Sequence, residues 1–306
     1  MAAPNLLLIN PAGNNGRALQ TLEKAARESP REIRALYQAC ERIVLKPGQR
    51  LSEPGILDRI RARRRVFICS GDGTLNWLVT ALLQNHLEGK VRVGIIPGGF
   101  GNAAAAMLGI QSTKAGLSLL AEDTPHRKTD VLATNLAECP YVVFAAGIGL
   151  EGKIVHTRQW AKWLSAAGYV LAAIWELFAH RRGRFILKID GGTKLSVLAS
   201  SIMIANGPYF GLLTSAPKAL IDDGRMDIRL FHENLNFLLN LQPQNMSLYP
   251  VDNFSYMDIR AKTLQVRGRL TLQIDGDPVK ATDFLELTVL PKRLHYLVPK
   301  KSIKNR

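Results

Sequence analysis

A short glycine-rich turn lies between an apolar strand and an apolar helix, and its residue types could bind phosphate. The turn Ser70–Thr74 reads Ser-Gly-Asp-Gly-Thr. Gly71 and Gly73 let a ligand approach the backbone amides closely, and Asp72 suits a cation that shares the site. Amides at a helix N-terminus favour a bound anion, so the pattern predicts a phosphate site. An ordinary loop in which Asp72 or Thr74 caps the helix explains the same residues.

The same pattern of strand, turn and helix occurs a second time. It comprises the apolar strand Val91–Ile96, the turn Pro97–Gly101 and a helix from Asn102. Because a right-handed crossover makes the two strands parallel, we expect both turns at the carboxyl edge of one sheet. Open α/β sheets bind their ligands at that edge. Two neighbouring turns rich in amide groups predict a site for a polyphosphate.

Two aspartates near the C-terminal end of the chain could supply a base. Asp275 and Asp277 follow the apolar strand Leu270–Ile274 and flank Gly276. Because side chains two apart on a strand share a face, we expect the two carboxylates to project together. Phosphoryl transfer needs a base of this kind to orient the attacking hydroxyl. An Asp-Gly hairpin turn explains the same residues without any chemistry.

The composition describes a folded protein with a basic surface. Of the 306 residues, 47% are hydrophobic and 21% are charged, and this length favours two domains. The formal net charge of +15 is spread along the chain, which agrees with a solvated surface or with contact with an anionic membrane. The densest basic run, Arg59–Arg65, has no interleaved aromatic residues. We therefore expect no nucleic-acid partner.

The cysteines and the N-terminal residues bear on the cellular compartment. Cys40, Cys69 and Cys139 are scattered and show no paired spacing. Their pattern argues against a disulfide framework or a zinc site and indicates a reducing compartment. Asn5–Asn10 reads as a core strand and not as a signal peptide. We therefore expect a cytoplasmic protein, with peripheral contact at the inner face of the membrane.

Two domains with different strand patterns are predicted. Residues 1–128 alternate strands and helices, which predicts an α/β domain with a parallel sheet, and Thr124–Lys128 reads as a linker. Residues 129–306 contain short strands of alternating polarity, in which Thr271 and Gln273 are expected on a wet face. This pattern predicts an antiparallel β-sandwich, with the last residues of the chain packing back on the first domain.

One helical segment, Gln159–Ala179, interrupts the strands and is rich in aromatic residues. It is too short, and too often interrupted by polar residues, for a membrane span. Its aromatic residues are Trp160, Trp163, Tyr169, Trp175 and Phe178, and the basic segment His180–Arg184 follows it. Packing of these side chains against the sandwich and contact with a bilayer interface both agree with the pattern.

Taken together, the motifs resemble the diacylglycerol kinase catalytic-domain family, which includes bacterial lipid kinases and the sphingosine and ceramide kinases. The first turn is similar to the Gly-Gly-Asp-Gly-Thr signature of that family. The other similar segments, in the same order and spacing, are Leu7–Gly13, Asn206–Gly207, Ser215–Ile228 and Gln273–Asp277. Since the family shares the nucleotide fold of the NAD kinases, the resemblance implies an NAD kinase-like first domain.

The resemblance implies a lipid kinase that depends on ATP and Mg²⁺ and phosphorylates a hydroxyl of diacylglycerol or of a sphingoid or ceramide-type lipid. The nucleotide would lie between the lobes. Asp277 stands in the place of the family's catalytic glutamate, with Asp275 beside it. The residues that the resemblance assigns to the nucleotide are Asn10, Ser70, Gly71, Asp72, Gly73, Thr74, Gly99, Phe100, Gly101 and Asn102.

A metal loop is implied by the same resemblance. In the family an aspartate and two backbone carbonyls hold a structural Mg²⁺ ion, and by position these are Asp223 and the carbonyls of Leu220 and Arg225. Hard oxygen ligands suit Mg²⁺. The resemblance places Asp130 between the lobes, where it would help to order the metal site. An acidic surface turn also explains the residues around Asp223.

Several positions depart from the family pattern. Leu45 and Phe100 stand where the family has threonines that contact the nucleotide, Ala103 replaces an aspartate, and Asp277 replaces a glutamate. Each lost hydroxyl or carboxylate contact would cost about 1–3 kcal/mol, although Phe100 could stack on the adenine. The departures leave open a degenerate, non-catalytic nucleotide- or lipid-binding protein. A kinase of the NAD kinase type with a soluble substrate, and a homodimer, are also compatible with the sequence.

Overall fold

The computed structural model describes residues 5–46, 49–159, 166–244 and 255–303, and the chain divides into two compact units. Unit 1 consists of Met1–Thr129 together with Lys292–Arg306, and unit 2 consists of Asp130–Pro291. The first and last described segments of the chain therefore belong to the same unit.

Unit 1 alternates strands and helices. In chain order its elements are β1 (Leu6–Ile9), α1 (Gly13–Gly16), α2 (Ala18–Arg27), α3 (Arg31–Ala39), β2 (Glu41–Val44), α4 (Pro54–Arg61), β3 (Arg65–Ser70), α5 (Asp72–Gln84), β4 (Arg92–Pro97), α6 (Ala103–Met107) and α7 (Thr113–Ser118), and β5 (His126–Thr134) begins at its end.

The strands of unit 1 form a parallel sheet in the order β2-β1-β3-β4. Every side chain of β1 is buried, and β3 is buried beyond its first residue, as is typical of parallel strands covered on both faces. In this register Ile9 lies beside Cys69, and Ser70 lies beside Pro97. The loops after β1, β3 and β4 therefore begin side by side at the carboxyl edge. The predicted α/β domain with a parallel sheet is confirmed.

Unit 2 is built mainly from strands. After β5 its elements are β6 (Tyr141–Val142), β7 (Ala145–Gly149), α8 (Leu150–Arg158), α9 (Ala166–Ala179), β8 (Gly183–Ile189), β9 (Lys194–Ala199), β10 (Ser201–Ala205), β11 (Tyr209–Phe210), β12 (Leu213–Thr214), β13 (Met226–Phe231), α10 (Asn234–Asn240), β14 (Gln242–Pro243), β15 (Met257–Ala261), β16 (Thr263–Ile274) and β17 (Asp277–Leu297).

The main strands of unit 2 pair antiparallel in the order β15-β13-β10-β7-β16-β17. β16 pairs with β7 through Leu272–Ile274 and with β8 through Leu264–Arg267. Because one edge of β16 serves two different strands, the sheet folds around a core that includes Ile148, Leu187 and Ile228. The predicted antiparallel β-sandwich is confirmed.

The end of β17 and the residues after it belong to unit 1. His295 of β17 lies beside Arg92 of β4 in a parallel pair. Beyond β17, a short 3₁₀ turn spans Lys300–Ile303, and the Ser302 hydroxyl donates a hydrogen bond to the carbonyl of Leu108 at 3.2 Å. These contacts fix the described part of the C-terminal segment within unit 1.

Some local expectations were wrong. Part of the predicted linker Thr124–Lys128 belongs to a strand, because β5 begins at His126. Helix α8 follows β7 in a stretch for which no element was predicted. The predicted strand Leu270–Ile274 is the second part of the longer strand β16, whose pairing with β17 contains register shifts between Arg267 and Leu272.

The predicted helical segment Gln159–Ala179 is described only in part. Trp160 and Trp163 lie outside the described residues, as does the side chain of Tyr169. The rest of the segment forms α9. Across the described ranges of the chain, no helix is long and apolar enough to cross a membrane.

Candidate functional site

Backbone atoms of the turns after β1, β3 and β4 meet at the carboxyl edge of the unit 1 sheet. A Cβ atom added to Gly99 would lie 2.2 Å from the Cα atom of Gly71, and one added to Gly13 would lie 2.3 Å from the carbonyl oxygen of Gly98. Since Cβ atoms do not approach other atoms this closely, a larger residue would push the backbones apart. Glycine at these positions allows the three turns to pack directly against one another.

Asn10 connects the turn after β1 to the turn after β3. Its Nδ2 donates a hydrogen bond to Oγ1 of Thr74 at 2.7 Å, and its Oδ1 accepts one from the amide of Ala12 at 3.0 Å. Because Oγ1 of Thr74 accepts from Asn10, the hydroxyl hydrogen of Thr74 points elsewhere and can be donated to an anion. The two residues therefore form one polar pair at the predicted nucleotide site.

Asp72 joins the first glycine turn to the helix after the second turn. Its two carboxylate oxygens accept hydrogen bonds from the amides of Ala103 (3.0 Å) and Ala104 (3.2 Å). These amides belong to the first turn of α6, where a helix leaves its N–H groups without intrahelical acceptors. Burial raises the pKa of Asp72, and the two amide hydrogen bonds oppose that rise. Asp72 is therefore a helix cap, but for α6 and not for its own helix.

Asn102 shapes the second turn with both ends of its side-chain amide. Its Oδ1 accepts from the amide of Gly99 and its Nδ2 donates to the carbonyl of Gly99, both at 2.9 Å. Its backbone lies in the left-handed region with φ of 51°, which asparagine adopts more readily than most residues. The Gly99 amide is therefore engaged within the protein. The neighbouring Phe100 is 55% exposed, as stacking on a base would require, and Gly101 is partly exposed.

The first turn of α5 offers space for a ligand. No side chain caps this helix at Gly71, and nothing lies within 4 Å of the position that a Cβ atom would take on Gly73. Ser70 is buried, and its hydroxyl donates to the carbonyl of Gly71 at 3.0 Å. Glycine costs a helix about 0.5–1 kcal/mol relative to alanine, and packing gives no reason for it at Gly73. Open space above helix N-terminal amides fits a phosphate group.

Replacing Gly73 by alanine should separate stability from nucleotide binding. We expect Gly73→Ala to raise the free energy of unfolding by up to about 1 kcal/mol, because alanine is the better helix former. We expect the same variant to bind ATP at least about tenfold more weakly, because its methyl group fills the space above the amides, and a loss of about 1.4 kcal/mol suffices for that. Thermal unfolding and calorimetric titration with ATP measure the two effects.

Gly55 provides a matched control for this variant. It lies in the first turn of α4, as Gly73 lies in the first turn of α5, and nothing surrounds its Cβ position within 4 Å. Gly55→Ala should stabilise the protein similarly and leave the affinity for ATP unchanged. Equal ATP affinities of the parent and Gly73→Ala would contradict the assignment of this space to phosphate.

Asp275 and Gly276 form the two-residue turn of the hairpin between β16 and β17. Both have positive φ angles, 50° and 90°, and Ile274 pairs with Asp277 across the turn. Positive φ at both central residues is the signature of the type I′ turn, which Asp-Gly favours. The expectation that Asp275 and Asp277 share one face of a single strand was therefore wrong, because a chain reversal separates them.

The two aspartates have different surroundings. The carboxylate of Asp275 accepts hydrogen bonds from three successive amides, those of Val143 (2.7 Å), Phe144 (2.8 Å) and Ala145 (2.9 Å). An ionised carboxylate, which only accepts, suits three such donors. Asp277 is exposed at the start of β17. Asp275 therefore positions the hairpin, and Asp277 is the carboxylate that a substrate can approach.

Two buried polar residues lie behind the hairpin turn, and the sequence reasoning missed them. Oε1 of Gln273 accepts from the amide of Gly276 at 2.8 Å, and its Nε2 donates to Oε1 of Glu151 at 2.8 Å. Gln273 has no exposed surface, so the wet face expected at this position was wrong. Burial raises the pKa of Glu151 to about 8. A polar residue within an apolar strand was the signal that could have pointed to this pair.

The loop around Asp223 places a guanidinium group on the carboxylate that the resemblance assigns to Mg²⁺. Arg260 contacts Oδ2 of Asp223, and Oδ1 accepts a hydrogen bond from the amide of Arg225 at 3.0 Å. The nearby Asp227 lies 3.6 Å from the same guanidinium group. In this arrangement the carboxylate of Asp223 is paired with an arginine and with a backbone amide.

Of the other residues predicted around this metal, Leu220 is half-exposed and Asp130 binds a backbone amide. Leu220 is 50% exposed, and Oδ2 of Asp130 accepts from the amide of Gly224 at 2.6 Å. Over the described ranges, no three His, Cys, Asp or Glu side chains are grouped so that they could hold a metal ion. The structural Mg²⁺ ion stays a prediction.

Two of the departures from the family pattern are buried. Leu45 is 5% exposed, and Ala103 has no exposed surface. Neither side chain is available to a ligand, although the amide of Ala103 contributes by binding Asp72. The contacts that the family makes through side chains at these positions are therefore absent here.

Comparison with known proteins agrees with this geometry. Residues 4–134 match the family model "Diacylglycerol kinase catalytic domain", and residues 145–298 match "YegS C-terminal NAD kinase beta sandwich-like domain". The chain is 25% identical to "Probable lipid kinase YegS-like" from Shewanella frigidimarina over 77% of this chain and 76% of that protein. It is 26% identical to "Probable lipid kinase YegS" from Escherichia fergusonii over 75% of this chain and 76% of that protein.

Solved structures share the fold. A diacylglycerol kinase from Bacillus anthracis aligns with a TM-score of 0.72 at 19% identity, covering 98% of each chain. An NAD kinase from Archaeoglobus fulgidus in complex with ATP aligns with a TM-score of 0.53 at 10% identity, covering 98% of this chain and 96% of that one. With both family models matched in order along the sequence, the chain belongs to the diacylglycerol kinase catalytic-domain family with a YegS-type C-terminal domain, and it is a kinase.

Proposed function

We propose that this kinase transfers the γ-phosphoryl group of ATP to a hydroxyl group of a lipid of the diacylglycerol, sphingoid or ceramide type. The observation that carries the proposal is the direct contact of the glycine turns in unit 1, with open space over Gly73. Such a surface of backbone amides suits a polyphosphate. The lipid class is supported by the relatives, whose names describe them as probable lipid kinases.

Phosphoryl transfer requires little covalent chemistry from the protein. The lipid hydroxyl oxygen forms a bond to the γ-phosphorus, the bond from that phosphorus to the β,γ-bridging oxygen breaks, and ADP leaves. The hydroxyl proton passes to a base, and we assign this part to Asp277, an exposed carboxylate at the matching place in the motif. Asn10 and Thr74 orient the phosphates through the hydroxyl of Thr74.

A divalent cation belongs to this proposal through the nucleotide. Mg²⁺ is commonly held by one or two carboxylates together with substrate phosphates, and it neutralises the phosphate charge when bound. Asp72 is the carboxylate at the glycine turns, and each of its oxygens keeps a further lone pair beside the amide hydrogen bonds that it accepts. The carboxylate of Asp72 therefore fits a cation that is bound together with ATP.

Labelled ATP incubated with a mixed lipid extract tests the proposal. The parent protein should place the label on lipid in the presence of Mg²⁺, while Asp72→Ala and Asp277→Ala should not. Phosphate transfer to a water-soluble acceptor instead of lipid would refute the lipid class. Asp72→Ala also removes the cap of α6, so the exposed Asp277 provides the cleaner variant.

A second function, binding without catalysis, is favoured by one observation. The position of Ala103, where the family carries an aspartate, is buried and contributes only its amide. A protein of this kind would bind ATP or lipid tightly and transfer no label in the same assay. Any label on lipid that disappears in Asp277→Ala would exclude it.

A further inference from the structure

Helix α9 has its polarity reversed relative to an ordinary surface helix. Its large apolar side chains Val170, Leu171, Ile174, Trp175 and Phe178 are 53–83% exposed. Its one charged residue, Glu176, is 7% exposed and accepts a hydrogen bond from the Thr157 hydroxyl at 2.5 Å. A surface helix of a water-soluble protein normally turns its apolar side inward and its charges outward. We call the five exposed apolar residues the outer face of α9.

The inward side of the helix is satisfied without these residues. Ala172 is buried and Ala173 packs with it in a cluster that contains Leu150, Met203 and Phe231. Small alanines bring α9 close to the rest of unit 2, so the large side chains of the helix are not needed for packing there. The interpretation that the aromatic residues pack against the sandwich is therefore wrong for Trp175 and Phe178, which are 67% and 83% exposed.

The outer face continues onto neighbouring elements. Phe178 lines an open groove together with Leu198 of β9 and Leu235 of α10, which are 44% and 53% exposed. Arg181 and Arg182 line the same groove, where Arg182 pairs with Glu233 at 3.1 Å and Arg181 is exposed. Contiguous exposed apolar surface bordered by charge is a mark of an interaction site. The surface joins apolar side chains from three elements of unit 2 with arginines at one end.

We propose that the outer face of α9 docks onto the surface of an anionic lipid bilayer. The apolar residues would enter the boundary between headgroups and acyl chains, while Arg181 contacts lipid phosphates, as in amphipathic helices that lie in a membrane interface. The net charge of +15 adds a general attraction to an anionic surface. With only the 14 residues of α9, such a helix lies on the membrane and does not cross it.

The inference goes beyond the proposed function and does not depend on it. Docking requires neither ATP nor turnover, so binding to vesicles is measured in the absence of nucleotide. Asp277→Ala should bind vesicles as the parent does, whatever the kinase assay shows. A failed kinase assay with intact vesicle binding, or the reverse, would tell the two proposals apart.

Co-sedimentation with lipid vesicles tests the docking surface. The parent should bind vesicles of phosphatidylcholine mixed with phosphatidylglycerol more tightly than vesicles of phosphatidylcholine alone, and binding should weaken with added salt. The double variant Trp175→Gln and Phe178→Gln should bind at least about tenfold more weakly, because two aromatic side chains no longer enter the bilayer. Trp77→Gln, which changes a half-exposed tryptophan (50%) in α5, should bind as the parent does.

A charge variant provides a second and independent test of the docking surface. Arg181→Gln keeps the apolar residues and should reduce both the preference for phosphatidylglycerol and the dependence of binding on salt. Absence of binding by the parent, or equal binding by the parent and the aromatic variant, would overturn the proposal. A dimer seen by light scattering that the aromatic variant abolishes would overturn it as well, because the face would then belong to a second copy of the chain.

Discussion

Asp277→Ala is expected to lower the rate of phosphoryl transfer by about 10²- to 10⁴-fold, the usual contribution of a general base. Because Asp277 is exposed at the start of β17, the free energy of unfolding should change by less than about 0.5 kcal/mol. Single-turnover measurement of label transfer from ATP gives the first quantity, and denaturant unfolding gives the second. The affinity for ATP, measured separately, should be unchanged.

The conservative variant Asp277→Glu tests the role of the carboxylate more sharply. Glutamate is the family's residue at this place, and one added methylene moves the carboxylate outward by over about 1 Å, a distance to which positioned catalysis is sensitive. The variant should keep the activity of the parent or exceed it. Activity as low as that of Asp277→Ala would show that the neighbouring backbone, and not the carboxylate, matters here.

Asp275→Ala is expected to lower the stability of the fold. The substitution leaves the amides of Val143, Phe144 and Ala145 without their acceptor. An amide left without a partner costs about 1–3 kcal/mol when buried, so we expect a loss of at least about 3 kcal/mol of stability. If Asp275→Ala unfolds at the same denaturant concentration as the parent, the positioning role is refuted.

Glu151→Gln is expected to stabilise the protein at alkaline pH and to remove part of its pH dependence. The folded state holds the pKa of Glu151 at about 8, whereas the ordinary value is 4.5. Burial causes the rise, since it disfavours the charged form, and the hydrogen bond from Gln273 opposes it only in part. The carboxyl group must therefore stay protonated in the folded protein or be buried as a charge.

The sign of this effect follows from proton binding. Below pH 4.5 both states hold the proton, and Glu151 does not change the stability with pH. Between about 4.5 and 8 the folded state holds more protons than the unfolded state, so stability falls as the pH rises, and it levels off above 8. At about 1.4 kcal/mol for each pH unit, the total loss has an upper limit of roughly 5 kcal/mol.

The glutamine variant keeps the size of the side chain and its acceptor for Gln273 but does not titrate. Its stability advantage over the parent should be small at pH 5 and grow to about 3–5 kcal/mol at pH 8.5. Denaturant unfolding across this range measures the difference. Other groups with raised pKa values, such as Asp227 at about 6, contribute to both proteins and cancel. A constant difference between the two curves would show that Glu151 is charged when folded.

Turns whose geometry depends on neighbouring residues in the sequence were easier to predict than contacts between distant residues. The turns Ser70–Thr74 and Pro97–Gly101 follow buried strands, and the parallel register places them side by side at the carboxyl edge, as predicted. The Asp-Gly hairpin was weighed as an alternative from the dipeptide alone, and it is what Asp275 and Gly276 form. Local backbone preferences of glycine, asparagine and aspartate are strong enough to be read without a fold.

Hydrogen bonds between residues that are distant in sequence could not be predicted from local backbone preferences. Asp72 binds amides 31 and 32 residues away, and Asp275 binds amides 130 to 132 residues away. Nothing in the local sequence distinguishes a carboxylate that will meet an amide from one that will meet a metal ion. For the same reason the arginine on Asp223, and the buried pair of Glu151 and Gln273, could not be foreseen.

The α/β domain, the β-sandwich and the adjacent glycine turns could be predicted from the sequence, because they depend on hydrophobic periodicity and on backbone freedom at single residues. The kinase family was indicated by the resemblance of the motifs and is shown by the family models. The positioning role of Asp275, the exposure of Asp277 and the outward aromatic face of α9 depend on contacts between elements distant in sequence. Periodicity states that a helix has an apolar side, but which side meets the protein depends on how closely each can approach its neighbours. In α9 the alanines approach closely, so the large apolar residues face outward.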